Sequence, residues 1–187
     1  MLYNKIKGGI GMKKTILFII FVFIFNGFIF SGPWKSYKAF QEYLSLKKQA
    51  KQADEEGNTA VAVSSYLKAA EIASKSADAN VYAWQLNNAA FSLIAQFKKL
   101  VNYEEKLQKL SEMKPGKEKI AYQKELANLF NLQMPLLEEA QGLLDKTKDL
   151  GELEAAEKIK SNNEFINWVK EFITTNLNEE KKEKSEN

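Results

Sequence analysis

The side chains that could do chemistry in this chain are carboxylates, lysine amines and hydroxyls. The sequence has no cysteine, no histidine and no arginine, so all 27 basic residues are lysines. This composition excludes thiolate nucleophiles, histidine general bases, Cys/His zinc sites and the bidentate arginine contacts that hold phosphates. A catalytic site would have to be built from Asp, Glu, Lys, Ser, Thr or Tyr.

Adjacent acids are one pattern of this kind. They occur as Glu55-Glu56, Glu104-Glu105, Glu138-Glu139 and Glu179-Glu180. Neighbouring residues on a helix point about 100° apart, so these pairs do not share a proton and are more typical of a solvated face.

A serine and a lysine with the spacing of a serine-acylating motif, Ser111 and Lys114, lie beside Pro115-Gly116. A helix is expected to end there, whereas such a motif belongs at a helix start. Gly8-Gly9 follows no predicted strand, so it does not form a phosphate-binding loop. We therefore expect no enzymatic activity, no metal site and no cofactor.

The formal charge of +3 is unevenly distributed. Residues 1–31 contain four lysines and no acid, which leaves 23 lysines against 24 acids in residues 32–187. A nucleic-acid-binding domain needs a basic folded surface, because neutralisation of phosphates supplies most of its affinity. The nearly neutral body therefore predicts a partner that is not a nucleic acid.

Residues 15–32 form an uncharged run rich in Ile and Phe, directly after Lys13 and Lys14. A positive start, an apolar stretch and the small pair Ser31-Gly32 are typical of a secretory signal peptide. The run is also just long enough to span a bilayer, so it contacts the membrane as an anchor if it is not cleaved. Either reading places the rest of the chain outside the cytoplasm, in the periplasm or at the cell surface.

The first eleven residues precede a signal that would begin naturally at Met12. Lys7-Gly8-Gly9 is what the purine-rich codons of a bacterial ribosome-binding site would encode. We therefore expect Met12 to be the true start, residues 1–11 to be a mis-annotated leader, and residues 12–32 to be the signal peptide or anchor.

The exported part, residues 33–177, is rich in Ala, Leu, Lys, Glu and Gln, which favour helices, and it shows no sustained period-two alternation. We predict an all-α domain. Apolar spacing predicts helices over about 35–55 and 59–75, a third capped by Asp78 or Asn80, and a fourth that begins near Tyr103.

The second half is predicted to contain two helices that meet near Gln133-Met134, because Pro135 is tolerated in a first turn. After Gly151, a last helical region carries an apolar face that runs from Phe165 to Ile173. Residues 178–187 are charged and have no apolar anchor, so we expect a disordered tail.

The first two predicted helices resemble a tetratricopeptide repeat, a helix-turn-helix unit with small residues where its helices cross. The resemblance covers residues 43–76 and rests on Ala50, Ala53, the turn Gly57-Asn58 and Ala62-x3-Tyr66. Residues 86–90 resemble the first helix of a second unit, and Asn102-Tyr103-Glu104-Glu105 the start of its partner. Residues 117–149 have the length of a third hairpin without its signature.

This resemblance implies antiparallel helical hairpins in a right-handed stack, followed by a C-terminal helical extension. It also implies a concave groove lined by the first helix of each hairpin. The groove-facing positions would be Lys47, Lys51 and Asp54 of the first unit and Trp84, Asn87 and Phe91 of the second.

We therefore expect a non-catalytic exported scaffold that docks a segment of a protein or peptide partner in a helical groove. The alternative is a structural or surface-exposed helical bundle that self-associates through the apolar face at Phe165 to Ile173. The two differ in where aromatic side chains are exposed, at Trp84 and Phe91 or at Phe165 and Phe172.

Overall fold

The computed structural model of the chain describes residues 34–183, apart from the side chains of Ser76 and of residues 178–183. The expected leader, residues 1–11, and the expected signal peptide or anchor, residues 12–32, lie outside the described residues. None of the helices in the described part is both long and apolar enough to cross a membrane.

The described residues form seven α-helices and no strand, so the predicted all-α class is confirmed. The helices are α1 Tyr37–Glu55, α2 Thr59–Ser76, α3 Ala79–Leu100, α4 Tyr103–Glu112, α5 Lys117–Leu132, α6 Met134–Asp145 and α7 Ala156–Glu183.

The helix boundaries follow from local backbone chemistry. Gly57 has a φ of 72°, a conformation that ends α1 at little steric cost only for a residue without a Cβ. The side chain of Asn58 then accepts a hydrogen bond from the Val61 amide at 3.3 Å, and that of Asp78 accepts one from the Val81 amide at 3.0 Å. These N-caps start α2 and α3.

Small residues let α2 approach α1 on one side and α3 on the other. The contact faces, which we call the alanine seam, are fully or almost fully buried and consist of Ala50, Ala53, Ala62, Ala69, Ala70, Ala73, Ala89 and Ala90. Side chains this short allow backbones to pack in contact, and each contact removes apolar surface from water. The first two helices therefore form the tight hairpin that the sequence predicts.

The helix that pairs with α3 is α6 rather than α4. The start of α6, at Leu136, lies beside the end of α3, at Lys99 and Leu100, so the two helices run antiparallel. By contrast, α4 is ten residues long and buries no side chain. The expectation that the segment from Asn102 forms the partner of the third helix is wrong, because that segment is too short and too polar to cover α3.

Residues 117–149, which have the length of a third hairpin without its signature, do not pack as one. The helices α5 and α6 do meet at Gln133, with Pro135 in the first turn of α6 as predicted. They then diverge, since α5 packs mainly on α7 whereas α6 packs mainly on α3.

The last helix, α7, closes the bundle through aromatic rings. The ring centroid of Phe165 lies 6.1 Å from that of Phe97, and the ring centroid of Phe172 lies 5.5 Å from that of Phe130. The Lys98 amine lies 4.5 Å from the centroid of the Phe165 ring, a cation–π contact. The predicted apolar face of α7 is thus packed inside the molecule.

Three polar contacts fix the position of α7. Asn162 donates to Asn87 at 3.0 Å, Gln141 donates to Asn163 at 2.6 Å, and the Glu154 amide donates to Asn80 at 2.9 Å. The helix continues to Glu183, which overlaps the start of the segment 178–187; residues 184–187 lie outside the described residues.

The alanine seam predicts that a larger side chain on α2 is destabilising only on the buried face. We expect Ala62→Leu to lower the free energy of unfolding by about 1–3 kcal/mol, because Ala62 is fully buried and the seam has no room for the added atoms. The matched control is Ala60→Leu, two residues earlier on the exposed side. Urea unfolding of both variants is the measurement, and equal losses would contradict the seam.

Candidate functional site

One side of α3 is not covered by another helix. α2, α6 and α7 pack on α3, and two hydrogen bonds connect it to α1. The residues of α3 that these helices do not cover recur at helical spacing and so share one face; they are Trp84, Asn88, Phe91 and Ala95. Phe91 is 58% exposed, which is unusual for a large aromatic side chain at the middle of a central helix.

A stripe on α1 borders this face. Tyr43, Lys47, Lys51 and Asp54 recur every three or four residues, so they follow one line along the helix. At the two ends of the line, Tyr43 accepts a hydrogen bond from Gln85 at 2.9 Å and Asp54 accepts one from Ser92 at 2.7 Å. Lys47 and Lys51 lie between these two links to α3, and both are exposed.

The structure therefore brings four of the six predicted site residues to the border between α1 and α3. These are Lys47, Lys51, Asp54 and Phe91. Trp84 is on the same face of α3 as Phe91 but is partly buried against the core. Asn87 is only 5% exposed and accepts the hydrogen bond from Asn162, so its amide lies beneath α7.

Asp54 connects three helices. Its carboxylate accepts a hydrogen bond from Ser92 on α3 at 2.7 Å and another from the buried hydroxyl of Tyr66 on α2. Burial, followed by the charge of Asp54 and this hydrogen bond, raises the pKa of Tyr66 to about 12. Asp54 thus connects α1 to α2 and α3. The sequence pattern does not indicate this structural role, because it places Asp54 on the surface.

A depression, which we call the Phe91 depression, lies between the end of α1 and α3. It has a volume of about 430 Å³. Its lining residues are Asp54, Glu55, Glu56, Gly57, Thr59, Phe91, Ser92, Ala95, Gln96 and Lys99.

A larger groove adjoins it on the other side of the Gly57 turn, and we call it the α2–α6 groove. It has a volume of about 850 Å³, with α2 and α6 as walls and the C-terminal part of α3 as floor. Gly57, Thr59, Gln96 and Lys99 line both cavities, so the two adjoin at the Gly57 turn. The amine of Lys99 lies close to the turn, about 3.4 Å from where a Cβ on Gly57 would be.

Sequence reasoning missed the α2–α6 groove. Its lining residues on α2 include Ala60, Ser64, Leu67 and Glu71, a second stripe at helical spacing opposite the alanine seam. That stripe mixes small, apolar and charged residues, so it has no clear signal in the hydrophobic pattern.

The two cavities present apolar carbon, amides, carboxylates and lysine amines to solvent. Among the side chains that the structure describes, no group of three metal-ligating residues comes together. A surface of this composition can bind a segment of another protein by apolar contact and by charge.

The described residues thus define a small all-α helical protein with two adjoining surface cavities beside the turn between its first two helices. Comparison with protein-family models, curated proteins and solved structures found no match to the chain.

The raised pKa of Tyr66 predicts a loss of stability at alkaline pH. The phenol of Tyr66 ionises near pH 10.0 in the unfolded chain and near pH 12 in the folded chain. The pH-dependent term that Tyr66 adds to the free energy of unfolding is therefore fully present below pH 10 and is lost as the pH rises towards 12. We expect the urea midpoint of the wild type to fall more steeply over this window than that of Tyr66→Phe. Parallel curves for the two proteins would contradict the raised pKa of Tyr66, which comes first from its burial and then from Asp54.

Proposed function

We propose that this protein is a non-catalytic, exported scaffold that docks a segment of a protein partner against the face formed by α1 and α3. The observation that carries the proposal is the exposure of Phe91, at 58%, beside a depression that also contains Asp54. A large aromatic side chain that is held rigidly on a packed helix is a typical anchor in protein interfaces. The flanking lysines, Lys47 and Lys51, would orient the incoming segment.

The helical-hairpin architecture supports a tetratricopeptide-like assignment of this face. The α1–α2 hairpin has the small residues and the glycine turn that such a repeat requires, and α3 follows it as the first helix of a second unit. Under this assignment α6 takes the place of the second helix, α7 begins the C-terminal extension, and α4 and α5 form an insertion. The docking face then corresponds to the groove side of the stack.

Export is supported by the sequence rather than by the described residues. The apolar run at residues 15–32 ends two positions before Trp34, the first described residue. If the run is retained as an anchor, the domain is held close to the outer face of the cytoplasmic membrane; if it is cleaved, the domain is released.

The alternative, self-association through the face from Phe165 to Ile173, has less support. Ile166 and Val169 are fully buried, and Phe165, Phe172 and Ile173 pack against the core. An interface through these side chains would require α7 to leave the bundle.

The proposal predicts that Phe91→Ala weakens partner binding without weakening the fold. We expect about tenfold or greater loss of affinity, because truncation of an aromatic anchor removes most of its buried contact area. The measurement is recovery of the partner with tagged full-length protein from its own membranes, followed by titration of the recovered partner. Circular dichroism melting curves should be the same for the wild type and the variant.

The matched control is Leu132→Ala, which truncates a residue that is 72% exposed at the end of α5 and lines neither cavity. It should leave recovery unchanged. Equal recovery with Phe91→Ala, Leu132→Ala and the wild type would overturn the proposed docking face. Asn87→Ala is not a useful probe of binding, since it also removes the contact with Asn162.

A further inference from the structure

We propose that the outward face of α1, formed by Tyr37, Gln41, Leu44 and Lys48, rests on the anionic headgroups of the membrane that holds residues 15–32. This inference rests on one branch of the proposed function, the retention of that apolar run as an anchor. It goes beyond the proposed function, because it assigns a lipid surface to a part of the domain that the docking face does not use.

The packed domain begins very close to the end of the apolar run. The ring centroid of Trp34 lies 5.6 Å from that of Phe40 and 4.6 Å from that of Tyr43, so the chain is packed on α1 from its first described residue. Ser36 is the N-cap of α1. The run ends at Gly32, two positions before Trp34. Two residues of fully extended chain span at most about 7 Å.

This short connection says what lies against the start of α1. The headgroup layer on each side of a bilayer is about 5–7 Å thick, which is the reach of those two residues. A retained run therefore holds the first turns of α1 in or directly beside the headgroups. The occupant of the surface follows from covalent attachment, and the charge and exposure of α1 decide which of its faces meets the lipid.

The outward face of α1 is not covered by any described helix. α1 is an edge helix that packs on α2 along its length and is joined to α3 by two hydrogen bonds. Tyr37, Gln41, Leu44 and Lys48 recur every three or four residues and all are exposed, with Tyr37 at 54% and Leu44 at 40%. Tyrosine, leucine and lysine side chains that share one helix face are typical of a helix lying at a membrane interface.

The charge of α1 is segregated along its length. Residues 34–53 contain five lysines and one acid, Glu42. The three acids at residues 54–56 begin about 25 Å further along the helix axis than Tyr37. Glu42 lies on the side of α1 that faces α2, and the depression that it lines there also contains Lys68, Glu71 and Lys75. The outward side of the first part of α1 is therefore basic.

Three of the five lysines are available to the membrane. Lys47 and Lys51 belong to the stripe beside α3, and Lys51 lies 3.8 Å from a carboxylate one turn further on. Lys35, Lys38 and Lys48 are exposed, and the ion pairs among the described side chains include none of them. Basic residues beside a membrane span are attracted to anionic lipid, each by a similar increment.

The helix dipole gives a second reason to expect an anion at this end of α1. Lys38 lies in the first turn, which contains no acid, and Lys35 directly precedes the N-cap. Cations are unfavourable at a helix N-terminus, because the dipole is positive there. Anionic headgroups beside this turn would offset the repulsion, so the two lysines make sense next to lipid and cost stability without it.

The membrane contact leaves the docking face open. The stripe with Lys47 and Asp54 lies about a quarter turn around α1 from the line with Tyr37 and Leu44. A bilayer beneath the outward face therefore does not cover the Phe91 depression. One anchored molecule can use both surfaces at the same time.

The test measures how close α1 lies to headgroups in the full-length protein. Gln41→Cys, on the outward face, and Leu132→Cys, exposed at the end of α5, are each labelled with the fluorophore NBD and reconstituted in nanodiscs that contain a headgroup-nitroxide lipid. We expect quenching at position 41 to be about twofold or more stronger in phosphatidylglycerol nanodiscs than in phosphatidylcholine nanodiscs, and to weaken with added salt. Quenching at position 132 should be the same in both lipids.

A pair of charge reversals assigns the effect to α1. Lys38→Glu combined with Lys48→Glu should remove the dependence on headgroup charge at position 41. Its melting temperature should not fall, because both lysines are exposed and an acid in the first turn suits the helix dipole. The matched control is Lys114→Glu with Lys117→Glu, the same change in net charge at exposed positions next to α5, which does not pack on α1.

Quenching at position 41 that is independent of headgroup charge, or equal effects of the two double variants, would overturn the inference. So would mass spectrometry showing that the protein from its own cells lacks residues 12–32. If the Lys38 and Lys48 reversals abolish partner recovery but not quenching, the outward face binds protein and the lipid assignment is wrong.

These outcomes are separable from a failure of the proposed function. If Phe91→Ala abolishes partner recovery while quenching ignores headgroup charge, the docking face stands and the membrane contact is wrong. If quenching follows headgroup charge while Phe91→Ala leaves recovery unchanged, the membrane contact stands and the docking face is wrong.

Discussion

The rest of the structure depends on the close approach of α2 to both α1 and α3 along the alanine seam. Because the contacting side chains are so short, α2 packs closely between the other two helices, and the polar residues at the edge of the seam come within hydrogen-bonding distance of one another. The carboxylate of Asp54 can then accept from both Ser92 and Tyr66. The seam therefore fixes the position of α3, and α3 in turn positions everything that follows.

The surroundings of α3 explain why its exposed face is narrow. α6 covers one side and α7 another, and α7 is held there by aromatic rings at one end and by Asn162 and Glu154 at the other. What remains open is the face with Phe91 and the C-terminal end with Leu100. Phe91 and Leu100 each line a cavity that includes Gly57, so these two exposed apolar side chains lie near the same turn.

Local features were predictable from the sequence, and long-range partners were not. Gly57, Asn58, Asp78 and Pro135 act within a few residues of the chain, and each marks the helix boundary that the structure contains. The pairing of α3 with α6 was not predictable, because helical spacing does not say which distant helix covers a given face. Asn87 illustrates the same limit: it lies at helical spacing from Phe91, yet the side chain that covers it comes from residue 162.

The docking face depends on the arrangement of helices around α3. Cysteine labelling tests this arrangement most directly, because the natural chain contains no cysteine. Single variants Asn87→Cys, Phe91→Cys and Ala95→Cys would be treated with a maleimide under native conditions and in urea. Positions 91 and 95 should react in the folded protein at nearly the rate seen in urea, whereas position 87 should be strongly protected. Equal native reactivity at 87 and 91 would contradict the placement of α7 and the docking face that depends on it.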